Sequence, residues 1–222
     1  MSVNGETAQG PGQEATPELP REEEAGTAAT SRRRLLKGAA LAAVPYALLP
    51  GPQAGAVAQA PDYPLAEWQP AHRSNYTPAK RGTARRRPAL VIIHVTQATY
   101  SSTLGIFQNP RKNVSAHYVV RSGDGYVAQC VRESDTAWHA GNWGYNTRSI
   151  GIEHEGWVDE PHYLTDALYE ASARVTAGIC ARYGIPRDRA HIIGHHEVPG
   201  TDHTDPGPHW DWTRYIRLVG AA

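Results

Sequence analysis

The chain has 222 residues, with 22 Lys plus Arg against 22 Asp plus Glu, 11 His, 6 Trp and 2 Cys. That length suits one domain with additional sequence attached. The charge balance excludes the basic field that a nucleic-acid partner would need: from residue 61 onward the counts are 17 Lys plus Arg and 16 Asp plus Glu, and Arg85-Arg86-Arg87 is a short triplet most simply read as a solvated loop.

Every His and Trp lies after residue 60. Residues 1–30 carry Gly, Pro, Ala, Thr and Glu with no aromatic ring, so they bury too little apolar surface to offset their ordering entropy and are expected to be disordered. Ser31-Arg32-Arg33-Arg34-Leu35-Leu36-Lys37 then leads into an apolar stretch from Gly38 to Leu49, followed by Ala56-Val57-Ala58 and Ala58-Gln59-Ala60. A charged region, a short apolar region and a small-residue cleavage pattern make residues 31–60 an export signal, cut after Ala58 or Ala60. The apolar stretch is short for a bilayer and Pro45 interrupts it, so no permanent membrane anchor is expected. Ser31, Arg32, Arg33, Leu36 and Lys37 resemble the twin-arginine signal, which implies the twin-arginine export machinery as a partner and a secreted, cell-wall location. The working domain is then 61–222, expected as a monomer. Cys130 and Cys180 either pair outside the cell or stand as two buried thiols.

Along that domain, Ala89-Leu90-Val91-Ile92-Ile93 predicts a buried strand that ends in His94. Thr99 to Gln108 predicts a short helix stopped by Asn109-Pro110. Ala116–Val120 and Tyr126–Val131 predict two strands of a hairpin joined by Ser122-Gly123-Asp124-Gly125. Ile150-Gly151-Ile152 predicts a strand ending in Glu153. From about Thr165 to Tyr183, the spacing of Leu164, Leu168, Ala171, Val175 and Ile179 predicts a helix with one apolar stripe, capped by Thr165 and closed by Gly184 and Pro186. His191-Ile192-Ile193-Gly194 predicts a strand delivering His195 and His196, and a last helix spans about Trp212 to Val219. The alternation of strands and helices predicts a single α/β domain with a central mixed sheet flanked by helices.

His94, Glu153 and His195/His196 each follow an apolar strand, and Asp205 stands ten residues after His195, steadied by the Pro206-Gly207 turn. Two imidazoles and one carboxylate leave a fourth tetrahedral position open, the arrangement of a catalytic Zn²⁺ that activates water. Alternation along the strand does not choose between His195 and His196. Glu155 falls on the same face as Glu153 and is the weaker candidate for proton transfer.

Val91-Ile92-Ile93-His94-Val95-Thr96, Ser115-Ala116-His117-Tyr118, Ala137-Trp138-His139-Ala140-Gly141, Ser149-Ile150-Gly151-Ile152-Glu153, Gly194-His195 and His203-Thr204-Asp205-Pro206-Gly207 resemble successive blocks of the type 2 N-acetylmuramoyl-L-alanine amidases, which share a fold with peptidoglycan recognition proteins. The resemblance covers about residues 65–219 and is closest to secreted actinobacterial members. It implies His94, His195 and Asp205 as zinc ligands, with Glu153 as general base and then acid in cutting the lactyl–L-alanine amide of peptidoglycan. It implies His203 as oxyanion stabiliser, where the family often has lysine; an imidazole titrates near neutrality, so a steeper pH dependence is expected. The tyrosine that helps at the active site in the phage and recognition-protein branches corresponds to Ala116 here, which leaves more of the chemistry to Glu153. Trp138, His139, Asn142 and Asn146 are implied as substrate-binding, and His117 as a core or supporting residue. Two alternatives stay open: a peptidoglycan-binding module without catalysis, and a zinc peptidase of the stem peptide.

Overall fold

The computed structural model describes residues 60–80, 82 and 87–222. The expected extension (1–30) and export signal (31–60, Ala60 apart) lie outside those residues, as do Arg85 and Arg86 of the basic triplet.

The β-branched run after Pro88 forms β3 (Leu90–Val95), preceded by the two-residue strands β1 (Glu67–Trp68) and β2 (Tyr76–Thr77). Helix α1 (Tyr100–Gln108) starts where the Thr99 side chain accepts the Ser102 N–H and stops at Asn109, as its sequence predicts. The hairpin follows as β4 (Tyr118–Val120) and β5 (Val127–Gln129), shorter than expected. The reason is local: the Cys130 and Val131 amides both address the His117 carbonyl, so two residues oppose one and regular pairing ends there. Next come β6 (Thr136–Ala137), the short helix α2 (Trp143–Asn146) and β7 (Ser149–His154). Helix α3 (Asp166–Tyr183) is capped by Thr165 and ends on Gly184 at φ 70°, a left-handed position that costs glycine nothing. Then β8 (Ile192–Gly194) runs into a single 3₁₀ turn, His195–Glu197, and α4 (Trp212–Ala221) closes the chain.

Six strands form one mixed sheet in the order β1-β5-β4-β7-β3-β8, with only the β4–β5 pair antiparallel; β2 and β6 form a separate antiparallel pair. The α/β expectation with a central mixed sheet holds. Alternation along β3 then divides two layers. Val91 and Ile93 face α3 and α4, packing with Ile150, Ile152, Leu168, Ile179 and Tyr215. Ile92 faces the other side with Ile193 and Ala140, next to a layer in which Phe107 of α1 meets Ala116, Val119 and Ala128. Cys130 belongs to this second layer and Cys180 to the first; both are buried free thiols, which settles the alternative that the sequence left open. Among the described residues no helix is long and apolar enough to cross a membrane.

Candidate active site

Three neighbouring parallel strands, β7, β3 and β8, end together, and the register pairs His94 with Glu153 and Ile93 with Gly194. Side chains just past those ends therefore meet at the carboxyl edge of the sheet, where open α/β folds build their clefts. His94 is on the Ile92 face of β3, away from α3, and the strand alternation puts Glu153 on that face too. His195 opens the 3₁₀ turn immediately after β8 and is buried.

Asp205 arrives from a separate loop. Its turn is closed by the Gly207 N–H donating to the Thr204 carbonyl, while the His196 N–H donates to the Asp205 carbonyl at 3.0 Å. That second bond fixes the roles of the two adjacent histidines. His196 is exposed and its Nδ1 lies 3.1 Å from the same carbonyl, so it tethers the Asp205 loop and leaves His195 facing the site. Gly194 makes this crossing possible: a Cβ there would lie 2.6 Å from the His196 ring and 2.8 Å from Pro206.

His94 Nδ1 stands 3.2 Å from Asp205 Oδ2, and His195 Nδ1 stands 3.2 Å from Asp205 Oδ1. All three side chains are buried, and one potential ligand atom from each lies within 4.8 Å of the others. Tetrahedral zinc with bonds of about 2.0–2.1 Å separates its ligands by roughly 3.3 Å. The two close separations fit that edge. Protonation fits as well. Burial holds His94 below the ordinary imidazole range despite the Asp205 hydrogen bond, so its ring stays neutral. Burial opposes the charge of Asp205, yet His195 and His94 more than offset it and keep the carboxyl far below the usual carboxylate range. Neutral imidazole and ionised carboxylate are the forms that ligate a metal.

Glu153 and Glu155 separate cleanly. Glu153 Oε2 is buried without a hydrogen-bond partner, and burial, helped by the negative charge of Asp205, pushes its carboxyl well above the ordinary range. Glu155 instead spends both oxygens on backbone, accepting from Tyr100 N–H at 2.9 Å and Ser122 N–H at 2.8 Å. One glutamate is free for chemistry; the other ties α1 and the hairpin to the end of β7.

A groove of about 930 Å³ opens over these groups, with His94, Glu153, His195 and Asp205 at its base and Trp138, Trp143 and His203 among its walls. The His203 ring is exposed and stacks on His195 at 4.1 Å, with Nδ1 3.4 Å from Asp205 Oδ1. Trp138 is half-buried, its indole N–H donating to Thr77 Oγ1. Trp143 is 58% exposed at the groove.

The remaining expected substrate contacts divide: His139 and Asn146 also line the groove, and Asn142 does not. Asn142 is not on the groove wall: its side chain caps α2 by accepting the Tyr145 N–H and donates to the Pro199 carbonyl. Asn146 is buried, and its carboxamide oxygen accepts the His139 and Ala140 amides, shaping the loop that carries them. His139 is 6% exposed and packs against His94. His117 is fully buried, its Nδ1 accepting the Gly151 N–H, and belongs to the support of β7. Ser149, at the start of β7, lies behind His139: its Oγ is 3.2 Å from His139 Nε2 and 2.7 Å from the Tyr145 carbonyl, and a serine at the start of a strand carries no sequence signal of that contact.

Residues 84–208 match the family model described as N-acetylmuramoyl-L-alanine amidase. N-acetylmuramoyl-L-alanine amidase A of Achromobacter lyticus is 37% identical over 175 residues, covering 71% of this chain and 95% of that protein. The 1,6-anhydro-N-acetylmuramyl-L-alanine amidase AmpD of Citrobacter freundii is 42% identical over 112 residues, covering 48% of this chain and 57% of AmpD. Among solved structures, a selenomethionine AmpD derivative aligns with a TM-score of 0.57 at 29% identity, covering 70% of this chain and 94% of that one. AmiD of E. coli, in complex with the substrate anhydro-N-acetylmuramic acid-L-Ala-D-γ-Glu-L-Lys, aligns with a TM-score of 0.52 at 27% identity, covering 63% of this chain and 60% of that one.

Proposed function

This chain belongs to the type 2 N-acetylmuramoyl-L-alanine amidases, and from that premise we propose that it hydrolyses the amide between the lactyl group of N-acetylmuramic acid and L-alanine in peptidoglycan, using a zinc ion held by His94, His195 and Asp205. One observation carries the proposal: the convergence of those three donors at the base of a groove, beside Glu153, whose Oε2 is buried without a hydrogen-bond partner. A zinc ion bound there supplies Lewis acidity, polarising a carbonyl oxygen and bringing the pKa of water from about 15.7 to about 7.

The chain's own groups do the rest. Glu153 takes a proton at Oε2 from the attacking water and hands it to the departing L-alanine nitrogen. Its dry surroundings raise the proton affinity of the carboxylate, which suits a base that takes a proton from water and then passes it to the amine. His203, at the lip of the groove, donates a hydrogen bond to the oxyanion. The exposed ring of Trp143 and the half-buried ring of Trp138 offer flat apolar faces to a sugar or to stem-peptide methyl groups. Presence of the full donor set together with Glu153 supports hydrolysis over binding without cleavage.

Peptidoglycan lies outside the cytoplasmic membrane, so this reading needs export. Residues 31–60 serve as a cleaved twin-arginine signal and 61–222 as the mature, monomeric enzyme.

Mass spectrometry of digested muropeptides tests the reaction. The expected products are intact stem peptides beginning at a free L-alanine and sugars ending in a lactyl carboxylate, lost on chelation and restored by zinc. Fragments cut within the stem peptide would make the protein a peptidase, and binding without products would make it a recognition module.

A further inference from the structure

The side chains behind His94 form a chain of hydrogen bonds whose direction can be read from one end. Ser149 Oγ lies 2.7 Å from the Tyr145 carbonyl, which can only accept, so the serine donates there. Its oxygen is then left to accept from His139 Nε2, 3.2 Å away. That places the His139 proton on Nε2 and leaves Nδ1 as an acceptor. His139 Nδ1 is 3.0 Å from His94 Nε2, which must therefore carry the proton of the His94 ring. His94 Nδ1 is left with a bare lone pair, aimed at Asp205 Oδ2 at 3.2 Å. Two acceptors facing each other at that distance are reconciled by a cation.

We propose that His139 is a positioning residue for the metal: anchored through Ser149 to the Tyr145 carbonyl, it fixes the tautomer of His94 so that Nδ1 presents its lone pair to zinc. The proposal rests on the zinc reading above and adds residues which that reading does not use. Three further features hold His139 in this task. Asn146 accepts both the His139 and the Ala140 amides, at 3.0 and 2.8 Å, which pins the backbone. Gly151 gives the ring a floor, since a Cβ there would lie 2.5 Å from His139 Cγ and Nδ1. Burial of His94, His139 and Ser149 excludes competing water from the chain. A second group that orients a ligating imidazole typically accounts for about 10- to 100-fold in metal affinity.

The test is zinc affinity of the full chain, measured by competition with a chromophoric chelator using zinc alone as the probe. Wild type should bind one zinc tightly, and His139→Ala should bind it about 10- to 100-fold more weakly. His139→Asn keeps an acceptor near the Nδ1 position and should recover most of the loss. Ser149→Ala removes the anchor without touching either ring and should weaken binding about tenfold; it decides the matter if His139→Ala does not fold. Imidazole nitrogen spectra of the zinc-loaded wild type should place the His139 proton on Nε2. A His139 proton on Nδ1 overturns the proposal, as do variants with wild-type affinity or equal losses in the Ala and Asn variants, which would leave His139 a packing role alone. A wild type that binds no zinc overturns the metal reading itself, an outcome distinct from tight wild-type binding with unaffected variants.

Discussion

Glu153 and Glu155 show how far a single position can be read from its neighbours. Alternation places both on one face of a continuing strand, and only the family resemblance ranks them. In the structure β7 ends at His154, so Glu155 leaves the strand geometry and turns to the amides of Tyr100 and Ser122, while Glu153 keeps a buried oxygen unpaired. The same limit applied to His195 and His196, because β8 ends one residue earlier and a 3₁₀ turn replaces the two-residue period. These environments separate the variants. Glu153→Gln should lower kcat by about 10²–10⁴-fold, the scale of lost acid–base catalysis, with zinc content unchanged. His203→Ala should lower it by about 10²–10³-fold, also with zinc retained, if the ring stabilises the oxyanion. Glu155→Gln should leave kcat near wild type and cost about 1–3 kcal/mol of stability, because two amides lose a charged acceptor. Steady-state kinetics, metal analysis and urea unfolding distinguish the three; wild-type turnover in the Glu153 variant would remove it from the chemistry.

At the level of elements, long periodic segments were legible and short ones were not. The stripe from Leu164 to Ile179 gave α3 to within a residue, because its caps, Thr165 and Gly184, are local chemistry. β1, β2, β6 and α2 span two to four residues, too few for any period to register, and they exist because the assembled sheet and loops pair them. β7 shows what an element contributes beyond its own residues. One face holds Gly151 and Glu153 toward the site; the other sends His154 into the α3 layer. There His154 Nδ1 donates to the His94 carbonyl at 2.7 Å, and Nε2 accepts from Ser172 Oγ at 2.6 Å, which is in turn 2.7 Å from the Tyr215 hydroxyl. Burial lowers the His154 pKa to about 3. The unfolded chain takes up this proton near pH 6.5 and the folded chain does not, so the contribution is complete above 6.5 and lost as pH falls toward 3. Its slope approaches about 1.4 kcal/mol per pH unit for one proton. Urea unfolding at several pH values should show a shallower acid loss in His154→Gln; an unchanged slope would mean that His154 is not the neutral buried group described.

Across the whole molecule, the candidate ligands stand 101 and 10 residues apart in sequence (94 to 195, 195 to 205), and nothing local joins them. The fold does so by ending β7, β3 and β8 at one edge and tethering the Asp205 loop through His196. That topology is why family resemblance, which records the outcome of folding, ranked His195 above His196 when alternation alone did not, and why the supporting chain through His139 and Ser149 stayed invisible until its atoms were placed. A metal that binds only the folded chain also stabilises it by mass action, so its gain or loss registers on the molecule as a whole. The most direct test is elemental analysis of the purified protein beside its His94→Ala, His195→Ala and Asp205→Ala variants. The account predicts one zinc per wild-type chain, and loss of that zinc in each variant while the fold is retained by circular dichroism. Zinc held at full stoichiometry by any of the three folded variants would contradict it.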